Sequence, residues 1–148
     1  MRWTPHATVA CIVEREGRFL LVEEMANGER VYNQPAGHLE EGETFIDAAR
    51  REALEETGWI VEPEALLGLY TYYAPANGVT YHRFCFVARA IREVPNAKLD
   101  DGIIAAHWLT RDEIETLKPR LRSKLVTDCI DDYLRGTRYP LDVIQETA

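Results

Sequence analysis

The sequence predicts an α/β fold in which one mixed β-sheet is sandwiched between α-helices. The chain has 148 residues, a length that suits one domain with its own core. Strand-like and helical segments follow each other without the regular alternation of a doubly wound fold. No segment has the composition of a linker, a repeat or a low-complexity tract. We therefore expect residues 1–148 to form a single domain.

The strands are predicted from apolar or alternating runs that lie between turn signals. Two hairpins are expected, the first around EREG and the second around PANG. The predicted strands are, in order, ATVACIVE, RFLLVEE, VYNQP, LLGLYTYYA, TYHRFCFVARAI and IIAAHWL. The predicted helices run from about Thr44 to Thr57, over TRDEIETL, and over roughly 121–135.

The net charge of −8 is concentrated in one segment of the chain. Residues 40–56 contain seven acids and two arginines, whereas residues 118–138 contain six basic residues and three aspartates. The overall acidity argues against a nucleic-acid polymer as a partner. The acidic segment indicates a divalent metal. The basic segment suits an anionic ligand, although a solvated helix face is the commoner explanation for such a run.

The cysteines and the N-terminal residues indicate the cellular compartment of the protein. Cys11, Cys85 and Cys129 are odd in number and lack the spacing of a zinc or redox motif, which is typical of reduced thiols. The opening residues MRWTPH lack the apolar core of a signal peptide, and no apolar run is long enough to span a membrane. The sequence therefore predicts a cytoplasmic protein that acts away from membranes, as a monomer or a homodimer.

Three glutamates crowd one face of the first predicted helix. Glu52, Glu55 and Glu56 fall within an arc of about 100°, where like charges repel by roughly 0.2–0.5 kcal/mol per pair. The same face continues as Ala48 and Phe45, so it is expected to point inward. A bound Mg²⁺, or Mn²⁺ in its place, would offset the repulsion, because hard cations take carboxylate oxygens.

The ends of this helix carry capping signals. Thr44 is a favourable N-cap, Asp47 is placed to complete a capping box, and Gly58 suits the C-terminal end. The alternative explanation of the glutamates is a solvated helix with pairs such as Arg51 and Glu55. The inward-facing alanine and phenylalanine disfavour that alternative.

The segment GHLEEGETFIDAARREALEETGW resembles the complete Nudix box of the Nudix hydrolase superfamily. The matching residues are Gly37, Glu43, Arg51, Glu52, Glu55, Glu56 and Gly58. The resemblance implies a mixed sheet between helices and metal-dependent hydrolysis of phosphoanhydride bonds.

The resemblance also implies roles for the residues of this box. The metal ligands would be the Gly37 carbonyl, Glu52, Glu55 and Glu56, and Glu52 is the first candidate for the base that takes a proton from water. Arg51 would orient the glutamates, and Glu43 would hold Arg51 through charge-assisted hydrogen bonds. Plain turn and cap roles remain the alternatives for the two glycines, and for Gly58 the cap role is preferred.

A narrower resemblance concerns the substrate. The segments PHATVACIVEREGRFLLVEE, NQPAGHLE, LRSKLV and GTRYPLDVI resemble the phosphatase NudJ subfamily, with PANGV as a departure in a ligand-side loop. This implies hydrolysis of nucleoside tri- and diphosphates with release of orthophosphate, and of hydroxymethylpyrimidine diphosphate or thiamine diphosphate. The alternatives are a MutT-like triphosphate pyrophosphohydrolase, a non-catalytic Nudix-like sensor and an enzyme that removes RNA 5′ pyrophosphate. The complete box disfavours the sensor, and the lack of a basic and aromatic track disfavours the RNA enzyme.

Substrate contacts outside the box are weaker hypotheses. The candidates are Asn33, Gln34, Arg83, Arg122 and Lys124. For the first two the alternative is solvation on an edge strand, and for Arg83, which alternates with Phe84 and Phe86, it is solvation on the opposite face.

Several further polar and aromatic residues are expected to have structural roles. Tyrosines in the strands are core or cross-strand partners by default, although they suit base stacking; they are Tyr32, Tyr70, Tyr72 and Tyr73. Asp100 and Asp101 precede a strand, where turn capping competes with the further loop acid that the family resemblance suggests. His6 and His107 are expected to be structural.

Overall fold

A computed structural model describes residues 1–146 and contains seven strands and three α-helices in that range. The strands are β1 (His6–Arg15), β2 (Arg18–Ala26), β3 (Glu29–Asn33), β4 (Ala36–His38), β5 (Trp59–Ala74), β6 (Val79–Glu93) and β7 (Ile103–Leu109). The helices are α1 (Phe45–Thr57), α2 (Arg111–Thr116) and α3 (Leu125–Leu134), with short 3₁₀ turns at Lys118–Arg120 and Leu141–Val143.

The sheet contains both parallel and antiparallel pairs. β1 lies parallel to β6 and antiparallel to β4, and β5 lies antiparallel to β6. The first hairpin joins β1 to β2 through two residue pairs, Glu14 with Phe19 and Arg15 with Arg18. Beyond that point β2 departs from β1 and pairs with β3 on one side and β7 on the other. The gap that opens between the two parts of the sheet leaves room for a cavity.

Helices cover both faces of the sheet. α1 packs on one face, whose buried residues are Val9, Cys11, Val13, Leu20, Ala48, Ala49, Ala53, Trp59, Val61, Leu66, Phe86 and Ala88. α2 and α3 pack on the other face, whose buried residues are Ala10, Ile12, Phe19, Leu21, Leu67, Cys85, Val87, Ile114, Leu125, Val126, Cys129 and Ile130. Successive residues of β1 alternate between the two sets, as expected of a strand that is buried on both faces. The predicted mixed sheet between helices is confirmed.

The structure differs from the predicted elements in several places. β4 has no predicted counterpart, and the strand predicted over VYNQP is β3, which ends at Asn33, two residues before Pro35. The last helix begins at Leu125, four residues later than predicted, because the Arg122 N–H donates to the Tyr32 carbonyl oxygen at 2.8 Å and keeps that segment extended beside β3.

The fifth strand begins at Trp59, seven residues before the predicted start at Leu66. Pro63 cannot donate a hydrogen bond to the ladder, and a register shift between Pro63 and Ala65 accommodates it, so the strand continues through this position.

The caps of α1 fix where the glutamate helix starts and ends. The Thr44 hydroxyl accepts from the Asp47 N–H at 3.1 Å, as predicted, but the reciprocal half of the capping box is wrong, because the Asp47 carboxylate accepts from Arg50 at 2.8 Å instead. The carboxylate of Glu146 accepts a hydrogen bond from the Phe45 N–H at 3.0 Å. Gly58 ends the helix in the left-handed region with φ of 76°, and its N–H donates to the Leu54 carbonyl oxygen.

No α-helix within residues 1–146 has the length and apolar character that crossing a bilayer would require.

The Thr44 cap leads to a stability prediction. Replacing Thr44 with Ala removes the acceptor of the Asp47 N–H and is expected to lower the free energy of unfolding by about 1 kcal/mol. Thr44→Ser keeps a hydroxyl and is expected to retain most of that stability. Urea denaturation of the three proteins measures both effects. Equal losses in both variants would show that the hydroxyl hydrogen bond does not stabilise α1.

Candidate active site

The side chain of Arg51 lies at the centre of the glutamate cluster. Its Nε and Nη2 donate to the two carboxylate oxygens of Glu43 at 2.6 and 2.9 Å. Its Nη1 donates to Glu52 at 2.8 Å and to Glu55 at 3.2 Å, and Nη2 also reaches the His38 carbonyl oxygen at 3.0 Å. The ion pair expected between Arg51 and Glu43 is therefore present. One guanidinium connects α1 with the loop that precedes it and with β4.

The charges of this cluster shift the pKa values of its members. The hydrogen bond from Arg51 is the main cause that holds the pKa of Glu43 below its usual range. The hydrogen bond to Glu43 is in turn the main cause that raises the pKa of Arg51. Both shifts favour the charged forms, so Glu43 and Arg51 form an ion pair at neutral pH.

The strand β4 lies directly against the glutamates. A Cβ atom at Gly37 would overlap the carboxylate of Glu52, so only glycine allows this approach. The neighbouring Ala36 N–H donates to Glu56 Oε1 at 2.9 Å. These contacts place the backbone of β4 and two of the three glutamates around the same point.

Burial raises the pKa of each of the three glutamates. It is the main cause at Glu56, whose pKa rises from 4.5 to about 8. Burial is also the main cause at Glu52 and Glu55, where Arg51 opposes the rise in pKa and the charge of Asp100 adds a smaller increase. The Asp100 N–H donates to the Glu55 carbonyl oxygen at 3.0 Å, so the loop before β7 brings a fourth acid to the cluster. The turn also uses Asp100, because its carbonyl oxygen accepts from Ile103.

The donor set of the cluster fits a hard divalent cation. It offers carboxylate oxygens and the backbone of β4, which are the ligand types that Mg²⁺ and Mn²⁺ prefer. Within residues 1–146, the acids, histidines and cysteines form no group of three that is already gathered around one point. In this arrangement Nη1 of Arg51 donates to both Glu52 and Glu55.

A cavity of about 460 Å³ opens beside the cluster, on the face of the sheet that α3 covers. Its floor is formed by β1, β4, β5 and β6, one wall by β2 and β3, and the other wall by the segment that precedes α3. The charged and amide side chains of its lining include Glu24, Asn33, Glu56, Arg83 and Arg122. Glu56 belongs to both the cluster and the cavity, so the two form one continuous site.

The structure brings three of the five candidate contact residues to this cavity, namely Asn33, Arg83 and Arg122. Gln34 does not line it: its Nε2 donates to the Val126 carbonyl oxygen at 2.7 Å and its Oε1 accepts from Arg83 at 3.0 Å. Lys124 does not line it either, because its side chain is 84% exposed and its Nζ lies 3.7 Å from Asp128.

The solvation alternatives are wrong for three of these side chains. Asn33 and Gln34 are 8% and 1% exposed, so neither lies on a solvated edge. Arg83 is on the opposite face from Phe84 and Phe86, as predicted, but it is only 7% exposed. The cause is α3, which covers this face of β6.

Other residues of the site were not predicted from the sequence. Glu24 of β2 lines the cavity and accepts from Arg122 at 2.7 Å. His38 of β4 lines it too, and its ring contacts the ring of His6, with 3.0 Å between their nitrogens. Tyr81 of β6 packs edge-on against both histidines. The signal that could have found Glu24 is its position as an acid at the end of an apolar strand.

The remaining aromatic and histidine predictions concern packing. The Tyr70 hydroxyl donates to Asp132 at 2.6 Å, whereas Tyr72 lines the cavity. His107 contacts Glu23 at 2.9 Å, and its ring lies 6.0 Å from that of Tyr32. These contacts of His107 are consistent with the structural role expected for it.

Comparison with known proteins adds independent information. A model of the NUDIX domain matches residues 4–129. Phosphatase NudJ of Escherichia coli (strain K12) is 42% identical over 140 residues, which cover 95% of this chain and 90% of that protein. A NUDIX hydrolase from Nitrosomonas europaea superposes with a TM-score of 0.95 at 46% identity, over 97% of this chain and 98% of that one.

A further solved structure, a MutT NUDIX hydrolase from Burkholderia pseudomallei, shares the fold with a TM-score of 0.74 at 23% identity, over 88% of this chain and 98% of that one. The fold and the glutamate helix thus define a phosphohydrolase, and the chain belongs to the Nudix hydrolase family. Within that family it is similar to the phosphatase NudJ.

The raised pKa of Glu56 predicts how the stability of the metal-free protein depends on pH. Between pH 4.5 and about 8 the folded carboxyl retains a proton that the unfolded chain has released, so the free energy of unfolding falls as the pH rises through this window. Glu56→Gln is expected to remove most of this pH dependence of the free energy of unfolding. Denaturation in EDTA at a series of pH values measures it, with Glu64→Gln, an exposed acid, as control. An unchanged slope in Glu56→Gln would contradict the assignment.

Proposed function

We propose that this protein hydrolyses phosphoanhydride bonds in small phosphorylated molecules, with Mg²⁺ or Mn²⁺ as cofactor. The substrates proposed are nucleoside tri- and diphosphates, from which orthophosphate is released, and hydroxymethylpyrimidine diphosphate, with thiamine diphosphate as a further candidate. The observation that carries the proposal is the position of Glu56, which joins the glutamate cluster to the cavity. The similarity to phosphatase NudJ supports the release of orthophosphate.

The residues proposed to hold the metal are Glu52, Glu55, Glu56 and the carbonyl of Gly37. When bound, such an ion polarises phosphoryl oxygens, neutralises the leaving phosphate and lowers the pKa of water. The clustered acids support this assignment, because they repel each other without a cation and burial raises the pKa of all three.

The residues of the chain then have separate tasks. Glu52 is proposed as the base that accepts the proton of the attacking water, since its raised pKa brings it nearer to the operating pH. Arg51 orients Glu52 and Glu55 by direct hydrogen bonds, and Glu43 keeps Arg51 in place. Glu56 gives up its proton on cation binding, so metal affinity is expected to rise with pH.

The size and chemistry of the cavity support a small substrate. A volume of about 460 Å³ is within the range of small-molecule sites. Tyr72 and Tyr81 in its lining offer aromatic surface to a base or pyrimidine ring. Three free, buried cysteines support a reducing compartment, and we propose the cytoplasm.

The experiment that tests the proposal measures orthophosphate release in Mg²⁺, with and without added inorganic pyrophosphatase. Nucleoside di- and triphosphates and hydroxymethylpyrimidine diphosphate are the compounds to compare. Direct release of orthophosphate is the expected result. Release that requires pyrophosphatase would instead identify a triphosphate pyrophosphohydrolase of the MutT type, and no release from any compound would contradict the proposed substrate class.

Glu56→Gln links the activity to the proposed metal site. This variant keeps an oxygen that can accept from Ala36 but removes the charge, and it is expected to reduce turnover by about 10²-fold or more while the fold is retained. Glu41→Gln, an exposed acid of the same segment, is the matched control and should have unchanged kcat. Full activity of Glu56→Gln, with a circular dichroism spectrum like that of the unsubstituted protein, would show that the metal site is misassigned.

A further inference from the structure

Arg83 is a buried cation that faces the cavity without a carboxylate partner. Its side chain lines the cavity and the residue is 7% exposed. Nη1 donates to Gln34 Oε1 at 3.0 Å, and the guanidinium also lies beside the thiol of Cys129, whose pKa is lowered first by the hydrogen bond from Cys85 and then by the charge of Arg83. Neither an amide nor a thiol neutralises a guanidinium. Among residues 1–146, no carboxylate lies within ion-pair distance of it.

The other arginine of the cavity shows the contrast. Arg122 has a side chain that is 48% exposed and a carboxylate partner, Glu24, at 2.7 Å. Arg83 is buried, donates to the neutral amide of Gln34 and forms no ion pair within residues 1–146. Because an uncompensated buried charge is costly, we expect an anion in the cavity to pair with Arg83.

Asn33 is a second unmatched polar group in the same cavity. It is 8% exposed, and its buried Oδ1 is without a hydrogen-bond partner within residues 1–146. Asn33 directly precedes Gln34, which holds Arg83. Rotation of the Asn33 amide exchanges Oδ1 and Nδ2, so that the side chain can donate to an anion in the cavity that both residues line.

The register of the strands relates Arg83 to the glutamate cluster. Ala36, whose N–H binds Glu56, pairs with Ala10 of β1, which pairs with Cys85 of β6. Arg83 lies two residues from Cys85 along β6. Two strand spacings and two residues separate the Cα atoms of Ala36 and Arg83 by about 12 Å. The side chains of Glu56 and Arg83 both line the intervening cavity, so a phosphate chain can contact both ends of it.

We propose that Arg83, assisted by Asn33, is the receptor for a phosphoryl group of the substrate, namely the one farther from the glutamates. This inference rests on the proposed function and deepens it, because it says how the same site holds a phosphate chain at two points. Gln34 is the positioning residue: Val126 fixes its amide, and the amide in turn holds the guanidinium.

The test uses inorganic phosphate as the probe and the whole protein without metal, in EDTA at constant ionic strength. Isothermal titration calorimetry compares the unsubstituted protein with Arg83→Gln. The variant is expected to bind phosphate at least about tenfold more weakly, as for the loss of hydrogen bonds from a charged group. Arg89→Gln is the matched control, since Arg89 lies on the same strand, exposed and paired with Glu64 at 3.0 Å, and it should bind phosphate as the unsubstituted protein does. Equal phosphate affinity in all three proteins would overturn the inference.

A second measurement needs no variant that could fail to fold. In the unsubstituted protein the Nε–Hε signal of Arg83, assigned by through-bond correlation to the backbone signals of that residue, is expected to shift as phosphate is added. The Nε–Hε signal of Arg89 should stay in place. A stationary Arg83 signal at saturating phosphate would overturn the inference.

Kinetics distinguish a phosphoryl group of the substrate from free orthophosphate. If Arg83 holds the substrate, Arg83→Gln raises KM for a nucleoside diphosphate and weakens inhibition by orthophosphate in parallel. An unchanged KM with weakened phosphate binding would assign the receptor to free orthophosphate and overturn its role towards substrate. The metal-free binding experiment is independent of turnover, so an inactive protein that still requires Arg83 for phosphate would contradict the proposed function alone.

Discussion

The fixed contact on which the site depends is the ion pair between Arg51 and Glu43. Two hydrogen bonds, at 2.6 and 2.9 Å, orient the plane of the guanidinium, and its remaining donors then meet Glu52, Glu55 and the His38 carbonyl oxygen. Three glutamates on one face of a helix would otherwise repel one another. The arginine offsets that repulsion in the metal-free protein without neutralising the acids completely.

The backbone geometry around this pair explains why the site lies where it does. β4 is only three residues long, yet it supplies the close approach of Gly37 to Glu52 and the Ala36 N–H that binds Glu56. The same strand forms part of the cavity floor. Glu56 is therefore held at the border between the acidic cluster and the cavity, where burial raises its pKa to about 8. Glu56 thus combines a titratable carboxylate, a buried position and a hydrogen bond from the backbone of β4.

The parts of the structure that follow from local pattern could be predicted from the sequence. The helix that carries the glutamates, its Thr44 and Gly58 ends, both hairpins and the mixed sheet depend on spacing and turn residues. The environment of Arg83 could not be predicted, because alternation gives the face of a strand but not the element that covers it. The start of α3 depends on a backbone hydrogen bond to Tyr32, which is distant in the sequence. Asn33 and Glu24 likewise owe their position in the cavity to tertiary packing.

The glutamates of α1 are proposed to bind a divalent cation while Arg51 remains paired with Glu43. Anomalous diffraction from crystals grown with Mn²⁺ tests this proposal most directly, because the anomalous signal locates the ion without reference to activity. The expected result is a peak bonded to carboxylates of Glu52, Glu55 and Glu56 beside the Gly37 carbonyl, with both Arg51–Glu43 hydrogen bonds intact. A peak bonded elsewhere, or an Arg51 that has left Glu43, would contradict it.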